Sequence, residues 1–256
     1  MTKSDTLYSQ NLWDRGYENL NFEKVSHDDI VAQWLTASVP SAIANSSDKK
    51  PSCLEIGCFP GRYLALMGDR GFELNGVDLT PRTDIEMATW LRDSGYVTGQ
   101  LVREDFFTWN PGRQFDLVYS NGFVEHFEDW KKVLLRHAAL VSPGGTLLVA
   151  VPNFAGTAQR FLHQKLDEEN FARHFIPSMD PALWARELGP EFEIVWQGYF
   201  GSFYFWIGEQ RRTLLQKLAF WSVRAAIPLL SRLLPKGHPS FAPYCGLVAK
   251  KIAIRG

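Results

Sequence analysis

Three residues in the first half of this 256-residue chain have types and spacing suited to holding a sugar. Gly57 and Gly61 flank three residues in "CLEIGCFPGRYLALM", where an apolar strand pattern gives way to a helical one. A strand ending at Gly57 and a helix beginning near Gly61 aim backbone N–H groups over the turn. Close approach by a polar ligand requires missing Cβ atoms there. Asp78 closes the next apolar run, 21 residues after Gly57. A carboxylate at that place accepts hydrogen bonds from both hydroxyls of a ribose. Its alternative role is a helix-capping aspartate ahead of Pro81.

The turn also says what such a ligand lacks. A dinucleotide turn reads G-x-G-x-x-G, and its middle glycine admits a pyrophosphate. Here that position carries Phe59, and Pro60 removes a further N–H donor. A nicotinamide oxidoreductase is therefore disfavoured, whereas a ligand with ribose and adenine but no phosphate tolerates both residues. A plain tight strand-to-helix corner is the reading without a ligand.

The elements around the turn alternate. Strand patterns cover "SCLEIG", "ELNGVDL", "VTGQLVRED", "FDLVYSNG" and the fully apolar "GTLLVAVPN". Helical patterns cover "RYLALMGDRG", "PRTDIEMATWLRDSG" and "EDWKKVLLRHAALVS" between them. Such alternation implies right-handed crossovers and a parallel sheet covered on both faces. An amphipathic helix is predicted at "SHDDIVAQWLTASVP" with Ser26 as N-cap. "FEIVWQGYF" and "YCGLVAKKI" read as two late strands. Hydrophobic residues at 45% and a net charge of -1 fit a globular chain with a large core and give no field for nucleic acid. Three cysteines, Cys53, Cys58 and Cys245, lack metal-like spacing and suit free thiols. The polar start shows no apolar signal region, so the cytoplasm is the expected compartment.

With these residues in hand, the chain resembles the class I S-adenosylmethionine (SAM)-dependent methyltransferases of the small-molecule type, similar to the ubiquinone-pathway group. The resemblance runs through "LEIGCFPGRYL", "GVDLT", "VREDFF", "FDLVYSNGFVEHFED" and "LVSPGGTLLVAVPN", roughly residues 50–153. Phe59 departs from the glycine that many members carry. The resemblance implies an α/β, Rossmann-like doubly wound seven-stranded sheet, mostly parallel with the last strand antiparallel. An N-terminal helical lid (1–49), a SAM-binding core (50–153) and an acceptor-side cap region (154–256) would make one domain.

The resemblance also assigns roles. Gly57, Cys58 and Gly61 lie under the methionine part of SAM, and Glu55 faces its amino end. Asp78 and Leu79 hold the ribose, while Asp105 and the Phe106 amide take the adenine. Asn121 and Gly122 meet the sulfonium end. Trp13 and Tyr17, four apart, share a helical face as a lid over the cofactor. Methyl transfer is an in-line displacement for which the protein mainly supplies alignment and dryness. A hydroxyl acceptor adds the need for a base, a role assigned to His126, whose alternative is a structural helix-start histidine. The acceptor site is expected after the fifth strand, from Asn153, Phe154, His174, Tyr199 and Tyr204. The acceptor is a small or glycan-like molecule methylated on oxygen; an N- or S-methyltransferase, or a SAM-binding scaffold without turnover, is the alternative. No resident metal is expected.

Between the two late strands lies "RRTLLQKLAFWSVRAAIPLLSRLLP"; Gln210, just before it, and Lys217, Arg224 and Ser231 within it make a polar stripe at seven-residue intervals. Pro228 is expected to kink or divide this helix. Residues 211–234 have three competing roles: a cap on the acceptor pocket, a homodimer contact, or a peripheral membrane contact.

Overall fold

All five residues of β1 (Ser52–Ile56) are buried, because this strand has sheet on both sides and helices on both faces. The computed structural model describes Leu7, Gln10, Asp14, Gly16, Tyr17 and residues 20–39, 50–208 and 212–253. Trp13 and Gln210 lie outside the described residues. After β1 come β2 (Glu73–Asp78), β3 (Thr98–Arg103), β4 (Phe115–Asn121), β5 (Val141–Pro152), β6 (Phe192–Phe200) and β7 (Tyr244–Lys251). They form one sheet in the order β3-β2-β1-β4-β5-β7-β6. The first five strands pair in parallel, and β7 runs antiparallel to both β5 and β6. This is the Rossmann-like seven-stranded sheet expected from the sequence.

Alternating side chains divide between two cores, the period of two in a strand covered on both faces. Leu54, Ile56, Val118, Val149 and Val151 face one side, where they meet Val133 and Leu134 of α4 (Trp130–Ala139) and Trp184 of α7 (Pro181–Leu188). Cys53, Leu117, Leu148 and Ala150 face the other, against Leu35 of α1 (Ile30–Ser38) and Leu64 and Met67 of α2 (Arg62–Asp69). The strand order reverses at the β1–β4 boundary, which opens a crevice at their carboxyl ends.

Several local expectations change. The N-cap of α1 is Asp29, whose Oδ1 accepts from the Ala32 amide at 2.8 Å; Ser26 instead accepts from Asp28 at 3.3 Å, one turn too early. The helix expected over 81–95 is a π-turn, Thr83–Met87, followed by the short α3 (Ala88–Asp93). Beyond β5 the chain forms α5 (Thr157–Leu166) and α6 (Glu168–Phe171). α8 (Leu214–Leu233) is one helix of 20 residues with Pro228 inside it. Pro228 and Arg224 are both exposed, so water can satisfy the Arg224 carbonyl that proline leaves without a donor, and the helix is not divided. Thr213 starts α8 with a capping box to Gln216.

Candidate active site

The crevice at the carboxyl ends of β1, β2, β3 and β4 is a cavity of about 500 Å³, within the usual range for small-molecule sites. Its wall is built strand by strand. At the end of β1 the backbone turns at Gly57 with φ 71° and enters α2 through Gly61 with φ 84°. The Gly57 amide donates to the Val77 carbonyl at 3.0 Å, which fastens the turn to β2. A Cβ at Gly57 would lie 2.8 Å from the Phe123 ring, and one at Gly61 would lie 2.8 Å from Met87 Cγ. The glycines thus admit positive φ and two protein side chains, besides opening the backbone to the cavity.

Asp78 ends β2. Its Oδ2 accepts from the Phe59 amide at 3.1 Å and its Oδ1 from Thr80 at 2.8 Å. Burial raises its pKa above the ordinary carboxylate value despite these bonds. Glu55, in β1, is buried on the cavity wall with Tyr119 donating to its Oε2 at 3.2 Å. Burial pushes that carboxyl well up, against the pull of Arg62.

Past β3, Asp105 Oδ1 accepts from the Phe107 amide at 2.9 Å and turns the loop back over the cavity. Arg136 holds this loop from outside, donating to the carbonyls of Phe106 and Trp109 at 2.5 Å each. Phe106, Phe107, Phe123 and Phe127 line the same wall and meet edge-on or tilted, with centroids 5.1–5.5 Å apart. Asn121 and Gly122 close the end of β4.

His126 sits in the helical turn that follows, on the cavity wall. Its Nδ1–H donates to the Arg173 carbonyl at 3.1 Å, so Nε2 carries the ring's lone pair in the neutral form. The Gly122 carbonyl also faces this ring, yet burial drives its pKa down to about 4. The adjacent Glu125 is fully buried, and burial lifts its pKa to about 8. Neither of its carboxylate oxygens has a hydrogen-bond partner among the described residues; Oε1 lies 3.8 Å from His126 Nε2. His174 completes the group, its ring 4.8 Å from that of His126 and its Nδ1 donating to the Asn170 carbonyl at 2.7 Å. Ligand atoms of Glu125, His126 and His174 all lie within 4.8 Å of one another, close enough to share a cation. The sequence pattern gave no metal-like cluster because His174 is 48 positions beyond His126 and joins it only through the fold.

The cavity wall carries Tyr17, Glu55, Gly57, Cys58, Gly61, Asp78, Leu79, Asp105, Phe106, Asn121, Gly122 and His126 together. Trp13 is outside the described residues. The Tyr17 ring meets that of Phe59 at a tilt, with centroids 5.1 Å apart, and Arg82 donates to the Tyr17 and Leu20 carbonyls at 2.8 and 3.1 Å. The five residues expected to bind an acceptor are not on this wall. Asn153 is fully buried, donating to the carbonyls of Pro239 and Ala242 at 2.8 and 3.0 Å, and so ties the end of β5 to the segment before β7. Phe154 is buried between His163 and His174, at 3.9 and 4.6 Å. Tyr199 packs against the first core and pairs with Cys245 in the sheet. Tyr204 stacks on Trp206, which stacks on Tyr244. His174 is not on the wall; its ring lies against that of His126, which is.

The sequence reading missed Phe107, Phe123 and Phe127, each beside a motif residue, and Arg62 and Thr80, which follow Gly61 and Leu79. It also missed Arg136, which touches the site from behind.

A family model described as a methyltransferase domain matches residues 32–190. Among curated proteins the chain is 28% identical over 101 residues to a trans-aconitate 2-methyltransferase of Escherichia coli strain 55989 / EAEC, covering 39% of this chain and 38% of that protein. A trans-aconitate 2-methyltransferase of Shigella dysenteriae serotype 1 is 26% identical over 121 residues, 46% of each chain. The chain thus spans less than half the length of these curated relatives. Among solved structures, a SAM-dependent methyltransferase from Archaeoglobus fulgidus superposes with a TM-score of 0.51 at 18% identity, covering 86% of this chain and 93% of that one. Magnesium protoporphyrin IX methyltransferase from Synechocystis PCC 6803, with bound S-adenosylhomocysteine, gives 0.52 at 13% identity and 94% of both chains. Both likenesses are likenesses of fold.

Proposed function

The chain belongs to the methyltransferase-domain family that matches residues 32–190, and from that membership we propose that it moves the methyl group of S-adenosylmethionine to an oxygen of a small, hydroxylated acceptor. The observation that carries this reading is the charge of the cavity wall. Glu55, Asp78, Glu104 and Asp105 face one cation, Arg62. Such a wall repels a diphosphate and suits a phosphate-free nucleoside that bears an ammonium and a sulfonium. An ammonium beside Glu55 would also offset the burial that now disfavours its carboxylate.

In this reading Asp78 accepts from the ribose hydroxyls, and Asp105 with the Phe106 amide takes the adenine. The cluster of Phe106, Phe107, Phe123 and Phe127 keeps water from the ring. Residues 1–49 serve as a lid, with Tyr17 and Leu20 on the cavity wall. When bound, S-adenosylmethionine supplies a methyl carbon activated by a positive sulfur. The work left to the chain is alignment, exclusion of water and, for a hydroxyl, removal of a proton. His126 is neutral across the physiological range, held by the Arg173 carbonyl. Its Nε2 would take the hydroxyl proton as the oxygen bonds to the methyl carbon and the carbon–sulfur bond breaks, leaving neutral S-adenosylhomocysteine. Residues 154–256 would serve the acceptor side from behind the wall, where the His174 ring backs that of His126. A carboxylate acceptor, as in the names of the relatives of Escherichia and Shigella, would need no base, nor would an amine or thiolate.

Titration calorimetry against S-adenosylhomocysteine, with NAD in parallel, tests the reading. Micromolar binding of S-adenosylhomocysteine alone is the expected result, and binding of NAD alone would overturn it.

A further inference from the structure

α8 carries apolar side chains on two opposite faces. Phe220, Val223, Ile227, Leu230 and the capping Leu234 pack on Leu166, Phe203 and Phe205. At about 100° per residue these inward positions span an arc of roughly 80°. On the far side, Leu214, Leu218, Trp221 and Leu229 fill a second arc of about 80°. With Leu215 and Leu233 at its edge, this outward set is 56–79% exposed. A lone exposed leucine is ordinary, but six large apolar side chains on one helix face are a surface looking for a partner.

Charge selects the partner. From Arg212 to Lys236 the chain has five cations and no carboxylate. Lys217 and Arg224 run along one flank of the outward face, and Arg232 lies within it. A second copy applied to this face would bring cationic rows together with no acid to pair them. A bilayer bearing anionic headgroups complements both features, since it takes apolar side chains into the acyl boundary and cations against the headgroups. Among the described residues no helix is long and apolar enough to cross a membrane, so the helix would lie in the interface.

We propose that the outward face of α8 docks the protein on an anionic lipid surface, with Leu214, Leu218, Trp221 and Leu229 entering the acyl boundary and Lys217, Arg224 and Arg232 meeting the headgroups. Docking needs only this helix and stands apart from the methyl-transfer reading. The helix is nonetheless joined to the cavity by a row of rings. Phe220 meets Phe205 at 6.1 Å, Phe205 meets His163 at 4.9 Å, and His163, Phe154, His174 and His126 follow at 3.9, 4.6 and 4.8 Å.

The test is cosedimentation of the full chain with vesicles of phosphatidylcholine, with and without phosphatidylglycerol, at low and high salt. The protein is expected to pellet with the phosphatidylglycerol vesicles and to lose most of that binding at high salt. The double variant L218E/W221E changes two exposed positions and should lower vesicle binding by about tenfold or more. Its melting temperature and its affinity for S-adenosylhomocysteine should match the parent's. The variant K217Q/R224Q should lose the preference for phosphatidylglycerol. Failure of the parent to pellet, or equal pelleting by L218E/W221E, overturns the proposal. So does light scattering that finds a dimer which L218E/W221E splits, because a second copy would then cover this face.

Discussion

The amide of Phe59 donates to Oδ2 of Asp78 at 3.1 Å, so the acid that ends β2 is fastened to the turn that ends β1. The same carboxylate is therefore both a candidate ribose acceptor and a clamp on the glycine turn. Burial raises its pKa above the ordinary carboxylate value, so its contribution to folding is fullest when it is protonated and declines as pH rises through the folded value. Asp78→Asn keeps one acceptor oxygen but turns an NH2 toward the other backbone N–H, so the folded variant should melt below the parent at pH 7. It should weaken S-adenosylhomocysteine binding by about 1–3 kcal/mol through loss of charge-assisted bonds to the diol. Calorimetry that finds unchanged affinity in the folded variant would remove Asp78 from the ribose.

The two glycines of the turn should differ in their tolerance of a methyl group. Both have positive φ, at 71° and 84°, so alanine is strained at either. At Gly57 the added Cβ meets the Phe123 ring at 2.8 Å, and that ring is packed against Phe106, Phe127 and His137. At Gly61 it meets Met87 Cγ at 2.8 Å, on an unbranched side chain that can choose another rotamer. Gly57→Ala is expected to cost about 2–3 kcal/mol in urea unfolding and Gly61→Ala about 1 kcal/mol. Equal losses would mean that backbone strain alone decides.

What the sequence made legible is what lies within one short segment at a time. The turn at Gly57–Gly61, the acid at Asp78 and the ends of β3 and β4 each carry a local signature, and the parallel sheet brings the four together as a matter of topology. Alternation of strand and helix was enough to foretell that sheet, and the late reversal of β7 followed from the family resemblance. The acceptor side was not legible, because its residues have no fixed spacing. Asn153 looks like a free polar group after a strand, yet its amide is spent on Pro239 and Ala242. Glu125, His126 and His174 form a group because Phe175 donates its amide to the Glu125 carbonyl at 2.7 Å and His126 donates to the Arg173 carbonyl at 3.1 Å. Nothing in either segment announces those contacts.

A second buried acid should govern stability in acid. Asp167 accepts from Arg212 and Asn170 at 2.8 Å each, from the Gly208 amide at 2.9 Å and from His163 at 3.1 Å. It joins the start of α6 to the segment entering α8. Burial opposes its charge, but these bonds prevail and hold its pKa below the ordinary carboxylate value. Its stabilising effect is therefore complete above the ordinary carboxylate pKa, near 4, and is lost as pH falls through the lower folded value. Asp167→Ala removes the buried acceptor shared by Arg212, Asn170, Gly208 and His163 and should cost about 3 kcal/mol at pH 7. The loss relative to the parent should shrink as pH drops below about 4, where the unfolded chain takes up the proton that the folded carboxylate resists. Thermal melts of both proteins between pH 3 and pH 7 check the convergence, and parallel curves across that window would contradict it.

His126 separates a base from a structural histidine, provided the variant keeps the structural bond. Asparagine places an amide N–H close to where Nδ1 donates to Arg173, and has nothing in the position of Nε2. His126→Asn should therefore fold normally and bind S-adenosylhomocysteine with unchanged affinity. For a hydroxyl acceptor, turnover should fall by about 10²–10⁴, the range that general-base catalysis supplies. His126→Gln carries its amide near the Nε2 position but is no base, so it should lose turnover as well. If both variants turn over an acceptor at the parent's rate, no proton needs removing. The acceptor is then a carboxylate, an amine or a thiolate, and the imidazole serves to hold Arg173 and His174 in place at the cavity wall.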